Sequence, residues 1–308
     1  MTSAPDPDLA GVRPSGPGPL VVVRGGGDLG TGVAHALALK GYQVVVLETE
    51  HPTAVRRAVA FAEAVRIGAA TVEGVTARLA TRGDLLSPRT PGLDVGRGAR
   101  PGEIPVLVDP DGEALGVLAP VAIVDARMAK RNLGTRRGDA GLTIGLGPGF
   151  AAGRDVDVVI ETARGPSLGR IIESGSALPN SGVPAAVNGV TLERVLRSPG
   201  DGTFRASRKI GELVGEGDVV GTVDGTAVQT RIAGLLRGLL ADGSAVRRGD
   251  KLGDVDPRGR AVDPHAMSDK ARTVGAAVVQ ALVARGIAPR AGPQGRSEPD
   301  QQPEAENR

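Results

Sequence analysis

Cysteine is absent from all 308 residues, which excludes disulfides, thiol catalysis and cysteine-ligated zinc or iron–sulfur sites on this chain. Tryptophan is absent too, and aromatics make up 1%, so a core must be built from Val, Leu, Ile and Ala. There is no apolar run of about eighteen residues, so no transmembrane helix and no membrane partner are expected. His35, His51 and His265 are scattered without an HxxxH spacing, which argues against a metal site. The chain start carries Pro, Gly and acids but no apolar stretch, unlike a secretory signal; a cytoplasmic location is the simplest expectation. A one-signed charge excess is also missing: the net charge is +2, with the signs interspersed. A nucleic-acid partner would call for a basic face or stacking aromatics, so none is expected. The arginine pairs at 56–57, 136–137 and 247–248 read as solvated surface.

Hydrophobic residues make up 40% of the chain, enough for a globular core. Its organising stretch is Leu20 to Glu50, LVVVRGGGDLGTGVAHALALKGYQVVVLETE. An apolar strand runs into glycines at 25, 27 and 30, a helix-forming run follows to Lys40, and a second apolar run spans Gln43 to Leu47. This is a βαβ unit with GxGxxG at its first turn, a context that predicts nucleotide binding. Gly25 would turn the chain, Gly27 would leave room for a phosphate, and Gly30 would let helix and sheet pack closely. The helix N-terminus supplies free N–H groups and a positive dipole end. Glu48, eighteen positions after Gly30, stands where ribose hydroxyls are held. Asp28 would repel a phosphate unless it caps the helix as N-cap, and Arg24 would offset part of its charge.

Further strands are predicted at Val75–Leu79, Ile104–Val108, Val121–Val124, Leu142–Leu146 and Val156–Ile160, and a helix over Thr53–Val65. Thr81–Gly102 reads as a loop. The expected organisation is a disordered leader at 1–19, then an α/β, Rossmann-like doubly wound domain at 20–190. A two-repeat β module at 191–262, a C-terminal helix at 263–288 and a disordered tail at 289–308 complete it. The repeat has an offset of 32: Gly202 matches Gly234, Gly211 matches Gly243, Val214 matches Val246, and Gly217-Asp218 matches Gly249-Asp250. Two such halves resemble the barrel-sandwich hybrid of biotinyl and lipoyl carrier domains. Carriers modify a lysine between the halves, but no lysine lies between Lys209 and Lys251, so no covalent biotin or lipoate is expected. Ser268 caps the last helix, Val274, Ala277, Val278 and Ala281 form its apolar stripe, and Gly286 stops it.

Three polar clusters follow predicted strands, where ligands collect in open α/β sheets. Glu48 leads to His51, Thr53 and Arg56-Arg57, a group suited either to ribose and phosphate or to a plain helix start. Lys130 and Asn132, in the segment after Asp125, are candidate anion contacts. Gly147 and Gly149 form a second glycine loop whose N–H groups can cradle an anion. A fourth string, Glu161 to Gly165, offers acid–base or anion-binding groups. The candidate ligand-binding set is therefore Gly25, Gly27, Asp28, Gly30, Glu48, Lys130, Asn132, Gly147 and Gly149, with no catalytic residue assigned.

Taken together, VVVRGGGDLGTGVAHAL, VVLETEHPTAVRRAVAFAEAV, VDARMAKRNLGT, IGLGPGFAAGRDVDVVIETARG and the GDKLGDVDPR…SDKAR end resemble the YqeB family of accessory proteins in the selenium-dependent molybdenum hydroxylase system. The resemblance runs from Leu20 to Ile287, and the first domain is also similar to XdhC-type accessory proteins. It implies a maturation factor that binds a nucleotide or a molybdopterin-type cofactor and assists a molybdenum hydroxylase client, not the hydroxylation itself. One departure is Pro166-Ser167, where relatives tend to carry His, so a histidine role there does not transfer. Without cysteine, selenium cannot be handled through a thiol of this chain. The rival readings are a free-standing NAD(P)-dependent oxidoreductase and a non-catalytic nucleotide-sensing scaffold, and a homo-oligomer is compatible with either.

Overall fold

A computed structural model of the protein describes residues 18–85 and 103–289. Most of the expected leader, most of the Thr81–Gly102 loop and nearly all of the expected tail lie outside them. The chain opens with β1 (Leu20–Arg24), α1 (Asp28–Leu39) and β2 (Gln43–Glu48). It continues through α2 (Ala64–Ile67), β3 (Ala69–Val72), β4 (Val75–Ala80), α3 (Arg82–Leu85), β5 (Glu103–Val108) and α4 (Leu115–Leu118). Then come β6 (Ala122–Asp125), β7 (Leu142–Leu146), β8 (Ala151–Ala152), β9 (Val158–Ile160), β10 (Ile171–Ile172) and β11 (Gly175–Ser176), the last pairing with β8.

Nine strands form one sheet in the order β10-β9-β7-β6-β1-β2-β5-β4-β3. Its neighbours are parallel except at the two edges, where β3 and β10 run antiparallel. Winding therefore proceeds outward in both directions from β1, and the direction reverses between β1 and β6. In such a sheet the crevice at the carboxyl ends of the central strands is the favoured ligand position. The central strands are buried on both faces, as their nearly continuous Val, Ile and Leu content requires. Val21 and Val23 join one core with α1, whereas Val22 joins another on the opposite face.

The segment Thr53–Val65, expected to be a helix, is not one. It holds two 3₁₀ turns at 57–59 and 61–63, with Ala60 extended between them, and α2 begins only at Ala64. Its backbone groups are engaged elsewhere. Phe61 N–H donates to the Thr31 hydroxyl, Ala62 N–H donates to Gly26 O, and Val55 O accepts from Leu239 N–H. Those partners replace the i→i−4 bonds that a helix would need.

A second unit comprises β12 (Val195–Arg197), β13 (Gly202–Ala206), β14 (Leu213–Val214), β15 (Val219–Val223), β16 (Thr226–Gln229), β17 (Gly234–Leu239), β18 (Ala245–Val246) and β19 (Lys251–Asp256). Its two sheets read β12-β19-β17-β14 and β16-β15-β13-β18. The two orders interconvert by the 32-residue offset: β13 becomes β17, β14 becomes β18, and β15 becomes β19. Each half lends a short strand to the other, because β14 pairs with β17 and β18 with β13. The core obeys the same offset, with Leu196 and Val228, Phe204 and Leu236, Val214 and Val246, Val220 and Leu252, and Val223 and Val255 buried together.

The chain ends in α5 (Asp269–Ala284), whose buried face includes Val274, Ala277, Val278 and Ala281. Ser268 is its N-cap, accepting from Ala271 N–H at 3.1 Å. Ser268→Ala is expected to cost about 1 kcal/mol, measurable by chemical denaturation; an unchanged midpoint would deny the cap any energetic role. α5 lies beside α1 and runs in the same direction, since Ala271 meets Gly32, Gly275 meets Gly32 and Ala36, and Ile287 O accepts from the Tyr42 hydroxyl. Both helix N-termini therefore lie at the carboxyl edge of the sheet.

Candidate functional site

Gly25 leaves β1 with φ +97°, a conformation L side chains rarely adopt, and a Cβ there would press on the backbone of Arg127 at 3.0 Å. Gly30 approaches the same turn so closely that a Cβ would lie 1.9 Å from Gly25 O. Gly27 is different: no atom lies within 4 Å of where its Cβ would be. Two glycines thus close the turn and one leaves space above it. Gly27 is the N-cap, no side chain caps it, and Asp28 is the first helical residue. The N-cap role expected for Asp28 therefore falls to Gly27. Asp28 is partnered instead by Arg56, at 3.3 Å from each carboxylate oxygen. Arg24 does not offset it, because strand alternation sends its side chain to the opposite face of β1. There it donates to the Thr135 hydroxyl and to the carbonyls of Pro110 and Asp111.

Glu48 sits at the end of β2 beside the turn and accepts from Gly26 N–H at 2.7 Å and Thr49 N–H at 2.8 Å. The Thr31 hydroxyl donates to Gly26 O from a fully buried position. Together with the Ala62 N–H that also donates to Gly26 O, these hold the turn before any ligand arrives. Arg56 and Arg57, expected to be solvated, are covered where β17 lies against residues 55–57: Arg57 donates to Leu239 O and pairs with Glu63. Arg56 also donates to Ala266 O, tying the turn to the approach to α5.

The remaining candidates form a continuous chain of close approaches. Gly149 packs on the backbone of Lys130 and Arg131, and Gly147 packs on Thr162, which follows β9. Lys130 is exposed. Asn132 works within its own loop: its carbonyl oxygen accepts from Gly134 and Thr135 N–H, and its amide donates to Thr135 O. Glu161 is fully buried and accepts from Ala163 and Leu178 N–H.

Lys270, outside the set of expected site residues, completes the group from the first turn of α5. Burial, and then the charge of Arg164, pull its ammonium below the usual lysine range, while nearby Asp28, Glu161 and Asp269 partly offset them. Asp269 itself pairs with Arg164. Both first-turn acids are therefore matched by arginines, whereas Lys270 has no hydrogen bond or ion pair among the described residues. A cation held near two helix N-termini, without a partner of its own, suits an anionic ligand. Its signal in the sequence is the SDK string, legible as a cap but not as a group near Asp28.

Behind the turn, Asp256 is buried at the end of β19 and binds Arg258 and Arg237. Burial raises its pKa, but hydrogen bonds from Arg258 and the two guanidinium charges outweigh that and hold it below the usual carboxylate range. Among the described residues no group of three or more His, Asp or Glu could hold a metal ion, and no helix is long and apolar enough to cross a membrane.

No family model matches the chain. Over 274 residues it is 48% identical to a protein of Escherichia coli K12 described as uncharacterized protein YqeB. The match covers 88% of this chain and 49% of that protein, so the chain spans about half the length of this curated relative. The similarity supports the YqeB family. Among solved structures, the apo ectoine utilization protein EutE (DoeB) of Ruegeria pomeroyi is 14% identical and aligns with 78% of this chain and 86% of its own, at a TM-score of 0.23. An aspartoacylase family protein of Mesorhizobium loti is 11% identical, with 77% and 85% covered and a TM-score of 0.21. Superpositions that poor carry no argument.

Proposed function

Taking the YqeB family as the premise, we propose that the glycine turn binds a phosphorylated ligand, a nucleotide or a molybdopterin-type cofactor. In this reading the protein is a maturation factor that serves a molybdenum hydroxylase client. The sheet is read as Rossmann-like and the paired β halves as barrel-sandwich-hybrid-like, with the latter available to dock the client. The observation that carries the ligand class is the open space at Gly27 above the N-terminus of α1, which no side chain caps, with Lys270 near enough to feel the charge of the adjoining Asp28. The phosphate would take the free first-turn N–H groups of α1, Lys270 would balance its charge, and Glu48 would accept from a ribose or ribose-like hydroxyl. The client role rests on the resemblance of the sequence motifs alone.

Equilibrium titration of the full chain with AMP, ATP, NAD and molybdopterin tests the ligand class. Saturable binding of any of these supports it, and binding of none by folded protein rejects it. A separate assay that supplies NADH together with an electron-accepting substrate, and shows turnover, would instead assign an oxidoreductase. Affinity should also depend on pH with a defined sign. A bound phosphate favours the ammonium form of Lys270, so binding should weaken as the pH rises through the lowered pKa, below the usual value of about 10.4. Lys270→Met should bind about tenfold more weakly at neutral pH and lose this alkaline limb. An alkaline limb retained in the variant would remove Lys270 from the site.

A further inference from the structure

On the face of β1 opposite the glycine turn, a cleft of about 360 Å³ opens between the segment after β5 and the segment after β6. That volume lies within the range of about 300–1,000 Å³ seen for small-molecule sites. We propose that this cleft binds a small organic monocarboxylate on the guanidinium of Arg24, separately from the ligand of the glycine turn.

Arg24 is 4% exposed yet lines the cleft, at the strand end where the winding of the sheet reverses. Buried charges are normally paired. Here the three acceptors of Arg24 are a hydroxyl and two carbonyls, all neutral, and its Nε–H has no acceptor. Asp125 lies opposite Arg24 in the sheet register, but its carboxylate is taken by Arg127 and by the Thr135 hydroxyl. No carboxylate forms an ion pair with Arg24 among the described residues. The Nε of Arg24 is itself buried, so an anion entering the cleft would meet the guanidinium at its Nη end, and a planar carboxylate suits that end.

The other lining residues narrow the class. Arg136 adds a second cation, while Asp111 and Asp139 add two acids, so the side chains sum to neutrality. Asp139 accepts from Arg136 N–H at 2.8 Å, which fixes its carboxylate within the lining. Both acids repel any anion, and a phosphate dianion about twice as strongly as a carboxylate, whose single charge Arg24 matches. Gly116 and Gly134 line the same space, and neither would bring a Cβ within 4 Å of another atom, so the room is kept open by missing side chains.

Calorimetric titration of the full chain with acetate, lactate, benzoate and inorganic phosphate tests this. At least one carboxylate should bind with unit stoichiometry and more tightly than phosphate. Gly116 is exposed and unstrained, so Gly116→Glu should fold normally, place a negative charge in the cleft and weaken that binding by about tenfold or more. Arg24→Lys, which keeps the charge but loses the planar fork, should weaken it similarly, and Gly27→Asp should leave it unchanged. No binding by any of the carboxylates, tighter binding of phosphate, or equal carboxylate affinity in Gly116→Glu would overturn the proposal. Loss of carboxylate binding in Gly27→Asp would also overturn it, by merging the two sites into one.

Discussion

Gly27→Asp should lower the affinity for a phosphorylated ligand by about 100-fold while leaving the thermal midpoint unchanged or slightly raised. The two halves of that expectation have separate causes. Nothing lies within 4 Å of the position of the new Cβ, and Gly27 has φ −68° and ψ −173°, which any residue adopts. Asp is among the best N-cap residues, so its carboxylate should accept from the free first-turn N–H groups and stabilise the helix by up to about 1 kcal/mol. Those are the donors a phosphate would use, and the new charge repels it as well. Losing the donors and adding like-charge repulsion amounts to about 3 kcal/mol, or about 100-fold. Calorimetry and a melting curve on the same sample check both halves. Unchanged affinity would move the site away from the turn, and a collapsed midpoint would show that Gly27 is structural.

Gly275→Val should produce the largest loss of stability, about 3 kcal/mol, because it separates α5 from α1. A Cβ at Gly275 would lie 2.4 Å from Gly32 O, and one at Gly32 would lie 2.5 Å from Ala271 O. Each helix thus presses a glycine against the backbone of the other, and neither carbonyl can move without breaking its own helix. Overpacking a well-packed contact costs about 1–3 kcal/mol, and a β-branched residue at this approach belongs at the upper end. For a chain of 308 residues that corresponds to a drop of about 5 °C in the thermal midpoint. Ligand affinity should fall with it, since α5 carries Lys270 next to Asp28. A melting curve matching the native one would show that the two helices have room to part.

The sequence was most legible where local pattern and tertiary need coincide. The βαβ opening, β7 at Leu142–Leu146, the Ser268 cap and the stripe of Val274, Ala277, Val278 and Ala281 are all legible in the sequence alone, since periodicity reports which face is buried. It was least legible where the chain supports something remote. Thr53–Val65 has helical spacing, but its N–H and carbonyl groups bind Thr31, Gly26 and Leu239, partners that no local pattern names. β3 and the antiparallel edge of the sheet also went unread, because Ala69–Val72 is short and half exposed. Within the site, the turn and Glu48 follow from spacing. That Arg56 rather than Arg24 pairs with Asp28 depends on a contact across 28 residues, and that Arg56 also holds Ala266 O and Lys270 stands near Asp28 depends on segments more than 200 residues apart closing around one edge.

The central claim, a phosphorylated ligand held at the turn of Gly25 to Gly30, is tested most directly by native mass spectrometry of the protein purified from its own cells. The wild type should carry a bound small molecule containing phosphorus, and Gly27→Asp, purified in parallel, should carry none. Wild-type protein bearing no such ligand, or the same ligand at the same occupancy in Gly27→Asp, would contradict it.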